Sequence, residues 1–578
     1  MKAGAALIGI GRLALRLAEG RSAGESSGGR SPIEIGHTRL IVTAALFALA
    51  FLAISVRLVD VTLISGAEPR QARAPRALPV ERADVVDRNG VLLATSVSTA
   101  SLFAEPRKVM DAPRAAKALA QLFPEVGEAV IRARLTSDKS FVYIRRNLTP
   151  RQEYEVNRLG IPGLGFQRED RRIYPEGQTL AHVLGFSDID DHGLAGIEKS
   201  FDQRLRDGDS LQLSIDIRVQ QIVHEELAAA VEKFHAIGAA GLVLDVRTGE
   251  VLAMVSLPDF DPNHPGQAPD DARFNRDTLG VYEMGSVFKI FNTAMALENG
   301  TATLTASYDA TRPIQIGRFA IHDDHAQNRW LSVPEVFIYS SNIGSARMAV
   351  EAGPAAQKAF FERMGMLRPA RIELPEIGRP EYPRDWKQVN TMTIAFGHGL
   401  SVSPVQLIGG VATVVGGGTL VHPTLLKQTG PLVPGPQVIS AKTSYALRRL
   451  MRLNVEDSRG TGKFGAVPGY LVGAKTGTAE KVGKAGGYKR KANLTTFVAA
   501  FPMTSPRYVV QLMLDEPKGI KETYGFATAA WNVGPATKRV IARVGPLLGV
   551  PTVNENSDEV RRAMAIDVPR GAARIATR

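Results

Sequence analysis

A chain of 578 residues, at about 150 residues per domain, requires several structural units. With 44% apolar and 22% charged residues it is neither a disordered chain nor a polytopic membrane protein, and with no cysteine it has no disulfide, thiolate nucleophile or zinc-thiolate site. The formal charge of +12 suits nucleic acid, a membrane surface or an anionic polymer, but the dense basic stretches are confined to the leader and to 561–578, and no basic helix interleaved with aromatics argues for a polynucleotide.

Residues 1–39 form a leader with six Lys/Arg, within which 3–18 read either as an amphipathic helix on the inner membrane face or as a flexible tail. Leu40–Val56 is an uncharged run of 17 residues between Arg39 and Arg57, with only Thr43 and Ser55 polar. A core helix normally carries a polar stripe, so this run predicts an uncleaved transmembrane signal anchor over 40–60. Within 20 residues, three Lys/Arg precede the run and four follow it, so local charge does not orient it. Long domains translocate largely regardless of charge, which leaves the short basic leader as the natural cytoplasmic side.

Residues 61–82 are rich in Pro, Ala and Arg and read as a stalk. Over 83–210, short apolar runs alternate with turn signals such as Asn89-Gly90 and Pro162-Gly163, which predicts an α+β domain. A larger unit, 211–550, opens with a strand-like LQLSID and a helix over Arg218–Ala236, where Val219, Ile222, Val223, Leu227, Val231 and Phe234 keep helical spacing. GLVLDV and VLAMVSL flank Arg247-Thr248-Gly249-Glu250 as a hairpin. YLVGAKTGTAEKV, LTTFVAAFP and RYVVQLMLD add three strands, and Phe526–Val544 a helix. Strands from both ends, with a mostly helical stretch between them, predict one sheet covered by helices plus a second, helical lobe. Residues 551–578 read as a flexible basic tail.

Common phosphate and metal signatures fail. Gly460–Lys463 lacks the leading glycine and the Ser/Thr of a phosphate loop and reads as a turn; His224-Glu225 has Ala228 where a zinc helix needs its second histidine. His322-Asp323-Asp324-His325 holds ligand-type residues but no further metal signal, so no metal site is assigned.

Three other motifs carry chemistry. Ser286 and Lys289 lie three apart at the start of an apolar helix ending at Asn299-Gly300, so the lysine amine reaches the serine hydroxyl and, if desolvated, takes its proton. Ser340 and Asn342 place a hydroxyl and an amide two residues apart after the helix-like VPEVFIY. Lys475-Thr476-Gly477-Thr478 lies on a strand, where the lysine and hydroxyls suit a carboxylate and Gly477 admits a substrate backbone. Alone, each has an ordinary structural explanation: a capping serine, a helix cap, an edge strand. Each occurs once, however, and in the order S-x-x-K, S-x-N, K-T-G, with Ser340 54 residues after Ser286 and Lys475 135 after Ser340.

This ordered triplet resembles the active-serine signature of penicillin-binding proteins and serine β-lactamases. Arg82-Ala83-Asp84-Val85-Val86-Asp87-Arg88-Asn89-Gly90, Gly196-Ile197-Glu198, Asn275-Arg276 and Phe396-Gly397-His398-Gly399 extend the likeness to class B penicillin-binding proteins, and Ser340-Ser341-Asn342-Ile343-Gly344 to the division-specific FtsI type. Ala83, Met284 and Val287 depart from the family pattern without removing a reactive group.

The resemblance implies a multidomain protein: a single transmembrane helix, an α+β pedestal (dimerisation-type) domain, and an α/β transpeptidase domain with a five-stranded antiparallel sheet and a helical lobe. It implies that Ser286 is acylated by D-Ala-D-Ala stem peptides and passes them to a neighbouring amine, making 4→3 cross-links in septal peptidoglycan, with no cofactor. Lys289 is then the general base, Ser340 and Asn342 relay protons and position substrate, and Lys475, Thr476, Gly477 and Thr478 bind its carboxylate end. The amides of Ser286 and Thr478 form the oxyanion hole. β-Lactams trap Ser286. The expected setting is the bacterial inner membrane, single-pass, with a periplasmic catalytic domain and division partners that include a membrane glycosyltransferase. Rival readings are a D,D-carboxypeptidase or β-lactamase that gives the acyl group to water, and a non-catalytic penicillin sensor or division scaffold.

Overall fold

The computed structural model describes residues 32–59, 81–317, 319–482 and 487–572. The leader segment 3–18, nearly all of the predicted stalk and the last six residues of the predicted tail lie outside the described residues. Pro32–Val59 form one helix, α1, which begins eight residues before the apolar run, at a proline suited to a first helical turn. Its 20-residue segment Leu40–Val59, with a mean hydropathy of 2.3 over 18 of its residues, is about 30 Å of helix and long enough to cross a hydrocarbon core.

From residue 81 the chain forms a separate unit. Its first part holds β1 (Val85–Val86), β2 (Leu92–Ala104), α2 (Ala112–Leu122), α3 (Glu128–Leu135), β3 (Val142–Leu148), α4 (Pro150–Arg158) and β4 (Leu164–Ile173). The long β2 pairs antiparallel with β1, β3 and β4, and α2 to α4 close a core around Leu102, Leu119, Phe123, Ile131 and Ile144. Of the predicted LQLSID strand only Leu211–Gln212 (β5) is extended, and it joins this first sheet, parallel to Val85–Val86. Below it the buried Glu198 carboxylate accepts from Arg82 Nε and Arg172 Nε, both at 2.7 Å, so charges that would be costly alone are paired.

The second part is built on α5 (Ile217–Phe234), β6 (Gly238–Asp245) and β7 (Val251–Leu257), then α6 (Lys289–Glu298), α7 (Val333–Ile338), α8 (Asn342–Ala352), α9 (Pro404–Val415), α10 (Ala441–Glu456), β8 (Gly473–Val482), β9 (Tyr488–Phe501), β10 (Tyr508–Asp515) and α11 (Val533–Leu547). The strands form one antiparallel sheet in the order β8-β9-β10-β6-β7, which joins sequence-distant ends as their patterning predicts. Alternation sorts its residues between two cores. Val243 and Leu512 pack with Val223 and Leu227 of α5 and Val540 and Val544 of α11. Leu242 and Leu244 pack with Phe291 of α6, Phe337 of α7 and Val411 of α9.

Two predicted elements differ. The last sheet-covering helix starts at Val533 rather than Phe526, because Asn532 caps it and Ala529 is engaged with Thr478. The predicted tail is ordered as far as residue 572: α12 (Asp558–Met564) buries Met564, Glu555 pairs with Arg452 at 2.6 Å, and Gly571 N donates to Glu335 Oε2 at 2.8 Å.

Candidate active site

Gly285–Phe288 form a 3-10 turn leading into α6, so Ser286 precedes the helix proper and Lys289 opens it. The lysine is 1% exposed and its Nζ is ringed by oxygens: Ser286 Oγ and Asn342 Oδ1 at 2.7 Å, the Ser340 carbonyl at 2.5 Å and Ser340 Oγ at 3.1 Å. Burial pushes its pKa down to about 7, against the opposing pull of Asp323 and Asp324.

Ser340 stands between α7 and α8 at φ +56°, a left-handed conformation uncommon for a serine. That turn presents both its carbonyl and its hydroxyl to Lys289. Ser341 caps α8 through Gly344 N at 2.9 Å, and Asn342 Nδ2 donates to the His322 carbonyl at 2.9 Å, which fixes its Oδ1 toward the lysine.

The third motif comes from the sheet edge. Lys475 on β8 is fully buried and donates to Ser340 Oγ at 2.9 Å; burial first, and the Lys289 charge second, hold its pKa well below the ordinary lysine value. Thr476 Oγ1 donates to Thr461 Oγ1 at 2.8 Å, and Thr478 Oγ1 accepts from Ala529 N at 3.3 Å. Gly477 also has a packing reason: a Cβ there would sit 2.3 Å from the Met284 carbonyl, so the glycine lets the strand close against the serine turn. In return a Cβ on Gly285 would meet the Thr478 backbone, at 2.7 Å from its oxygen and 3.2 Å from its nitrogen.

One structure thus brings together Ser286, Lys289, Ser340, Asn342 and Lys475 in a continuous network, with Thr476 and Thr478 beside it on the edge strand. A buried amine whose pKa is pushed down to about 7, within 2.7 Å of a serine hydroxyl, can chemically activate that hydroxyl for acyl transfer.

Residues 239–535 match the penicillin binding protein transpeptidase domain and residues 77–225 the penicillin-binding protein dimerisation domain. The chain is 38% identical over 537 residues to the probable peptidoglycan D,D-transpeptidase FtsI of Caulobacter vibrioides, covering 91% of each. The chain belongs to the penicillin-binding protein transpeptidases. It is also 30% identical to peptidoglycan D,D-transpeptidase FtsI of Escherichia coli, over 85% of this chain and 89% of that one. The fold is that of penicillin binding protein 3 from Mycobacterium tuberculosis, solved with aztreonam: TM-score 0.66 at 24% identity, covering 82% of this chain and 98% of that one.

In this penicillin-binding protein several site neighbours escape sequence reasoning. Asp323 accepts from Ser341 Oγ at 2.7 Å and from Ile343 N at 2.9 Å, so the His322–His325 loop braces the S-x-N motif. Thr461, in the turn with a partial phosphate-loop look, reaches Thr476 instead. His398 Nε2 is buried without a hydrogen-bond partner among the described residues, and burial, then the Lys289 charge, lower its pKa to about 4, so the ring is neutral. Only the FGHG string signals His398; nothing local signals the other two, which act across turns distant in sequence.

Proposed function

We propose that this chain is a peptidoglycan D,D-transpeptidase of the FtsI type in which Ser286 is the nucleophile and Lys289 its base. The observation that supports this best is the oxygen ring around Lys289. A neutral amine has two protons and one lone pair. The Ser340 carbonyl and Asn342 Oδ1 accept only, so they take the two protons, and the lone pair is left for the hydroxyl proton of Ser286.

Ser286 Oγ then adds to the D-Ala-D-Ala carbonyl as its proton passes to Lys289. The developing oxyanion sits between the amides of Ser286 and Thr478, at the start of α6. Ser340, in reach of both lysines, carries the proton to the departing D-alanine amine. Lys475 and the hydroxyls of Thr476 and Thr478 hold the terminal carboxylate; the Thr478 oxygen already accepts from Ala529 N, which leaves its own proton to donate. An amine of a neighbouring stem peptide attacks the acyl-enzyme, its proton returns through Lys289, and a 4→3 cross-link results. β-Lactams, as mimics of the dipeptide, stop at the acyl-enzyme.

The segment Leu40–Val59 anchors the protein once in the inner membrane, the leader lying in the cytoplasm and the body in the periplasm. There it works in septal wall synthesis with division proteins, including a membrane glycosyltransferase. The test is fluorescent-penicillin labelling of the full chain, with the adduct mapped by mass spectrometry. A stable adduct on Ser286, absent in Ser286→Ala, is expected. Rapid turnover of the label would replace the transpeptidase with a hydrolase, and no label on folded protein would leave a scaffold.

A further inference from the structure

The catalytic cleft has two walls, which meet where Lys475 Nζ on β8 donates to Ser340 Oγ just past the end of α7. Behind them α10 packs against both β8 and α7, and the chain past α11 runs back along α10 and grips each wall close to its functional residue. At one end Glu555 Oε1 accepts from Gly469 N at 2.6 Å, Val553 N donates to the Gly469 carbonyl at 2.9 Å, and Glu555 Oε2 takes Arg452 Nη2 at 2.6 Å. Arg452 is 7% exposed, and its Nη1 donates to the carbonyl of Val472, at the lead-in to β8. Along α10, Tyr445 Oη and Arg449 Nη2 donate to the carbonyls of Ala563 and Ala565. At the other end Gly571 N donates to Glu335 Oε2 at 2.8 Å, and a Cβ on Gly571 would stand 2.4 Å from the Trp330 carbonyl, so the segment lies flat against the start of α7.

Glu335 is the fixed point of α7. It is 3% exposed; its carboxylate also accepts from Ser332 N and from both Nη atoms of Arg329, and its carbonyl takes the N–H of Tyr339, the residue before Ser340. The segment therefore holds one wall through Arg452 and the other through Glu335. Between the two grips Val560, Ala563 and Ile566 pack on the core that contains Phe337 of α7. Apolar contact is non-directional and tolerates sliding, whereas hydrogen bonds weaken steeply with distance and angle, so polar grips at both ends fix a spacing that the apolar middle does not.

We propose that residues 551–572 are a strap that positions Lys475 and Ser340 against each other across the cleft. The proposal rests on the acyl-transfer reading above. Glu555, Arg452 and Glu335 are positioning residues: each acts through the element it holds, and none is hydrogen-bonded to a member of the Ser286–Lys475 network. Without the strap, Arg452 keeps only Glu456, at 3.7 Å, as an ion-pair partner among the described residues, and Glu335 loses one of its donors. Each wall keeps its own fold but the common tie is gone. Misplacement of about 1 Å can cost up to about 10²-fold in rate, so a small relative shift of the walls is read chiefly in acylation.

The test compares the full chain with a chain ended after Val550 and with Glu555→Ala and Gly571→Ala, which release one end each. Penicillin concentration is varied so that the binding constant and the acylation rate constant separate, at a temperature well below every thermal midpoint, and the labelled fraction is read at completion. The truncated chain is expected to acylate about tenfold more slowly at saturating penicillin, and each single variant more slowly than the parent, with the labelled fraction unchanged. A tail that only stabilises would lower the midpoint or the labelled fraction and leave that rate constant alone. Folded variants that all acylate at the parent's rate constant therefore overturn the proposal, as does a slow truncated chain beside two single variants at the parent's rate. If the truncated chain does not fold, the two single variants decide. A parent that never labels at Ser286 loses the enzyme reading, whereas a parent that labels and is matched by its variants loses the strap alone.

Discussion

Lys289 and Lys475 share an acceptor: their Nζ atoms lie 3.1 and 2.9 Å from the one Ser340 Oγ. Two buried amines so placed disfavour each other's protonation, on top of the burial that lowers both. Acylation by penicillin should therefore rise with pH through about 7, as Lys289 loses its proton, and level off above it. Second-order labelling rates between pH 5 and 9 check this. Lys289→Ala should lose about 10²- to 10⁴-fold of the rate and the inflection with it. A variant that kept the inflection would move the base elsewhere.

The same lysines set a stability slope. Their folded values lie below the ordinary 10.5, so at neutral to moderately alkaline pH the unfolded chain binds more protons than the folded one, and stability rises with pH over that window. Urea midpoints at pH 7, 8 and 9 should climb in the parent and climb less in Lys475→Met. Parallel slopes in the two would mean that Lys475 is protonated in the fold.

Gly477→Ala tests the close approach of the edge strand to the serine turn. Its Cβ would meet backbone, the Met284 carbonyl at 2.3 Å, which no rotamer change relieves. The strand must back away, and with misplacement of about 1 Å able to cost up to about 10²-fold, labelling of Ser286 should slow by at least about tenfold. A normal rate with an unshifted thermal midpoint would show that the turn yields freely.

Asp323→Ala removes the carboxylate that takes two hydrogen bonds from Ser341 and Ile343. The expected cost is about 1–3 kcal/mol of stability, together with slower acylation as Asn342 loosens. Denaturation and labelling measured on one preparation separate the two effects; full acylation speed in a destabilised variant would confine Asp323 to the fold.

What could be read from the sequence was local. The S-x-x-K helix, the two hairpin strands around Gly249 and the three strands around Lys475 follow from spacing and turn chemistry, and the triplet order led to Ser286, Ser340 and Lys475. Asp323 was weighed only as a metal ligand, because its true partner, the turn at Ser341, lies 18 residues away with no periodic link. The packing of Gly477 against the Met284 carbonyl was not legible, because a strand pattern does not tell which turn a glycine meets. The tail looked flexible for want of apolar periodicity, yet single contacts such as Met564 and Glu555 hold it.

The strand order β8-β9-β10-β6-β7 also has a consequence for biosynthesis. The hairpin of β6 and β7 and the serine turn leave the ribosome well before Lys475 is made, and β6 then lacks its neighbour β10. A growing chain that ends before Gly473 carries Ser286 but neither the sheet edge nor the second lysine, and one that ends before Tyr508 has both but lacks the strand that joins them to β6, so both should be blind to penicillin. Reactivity should appear late and all at once in translation, and arrested chains of graded length would show the step.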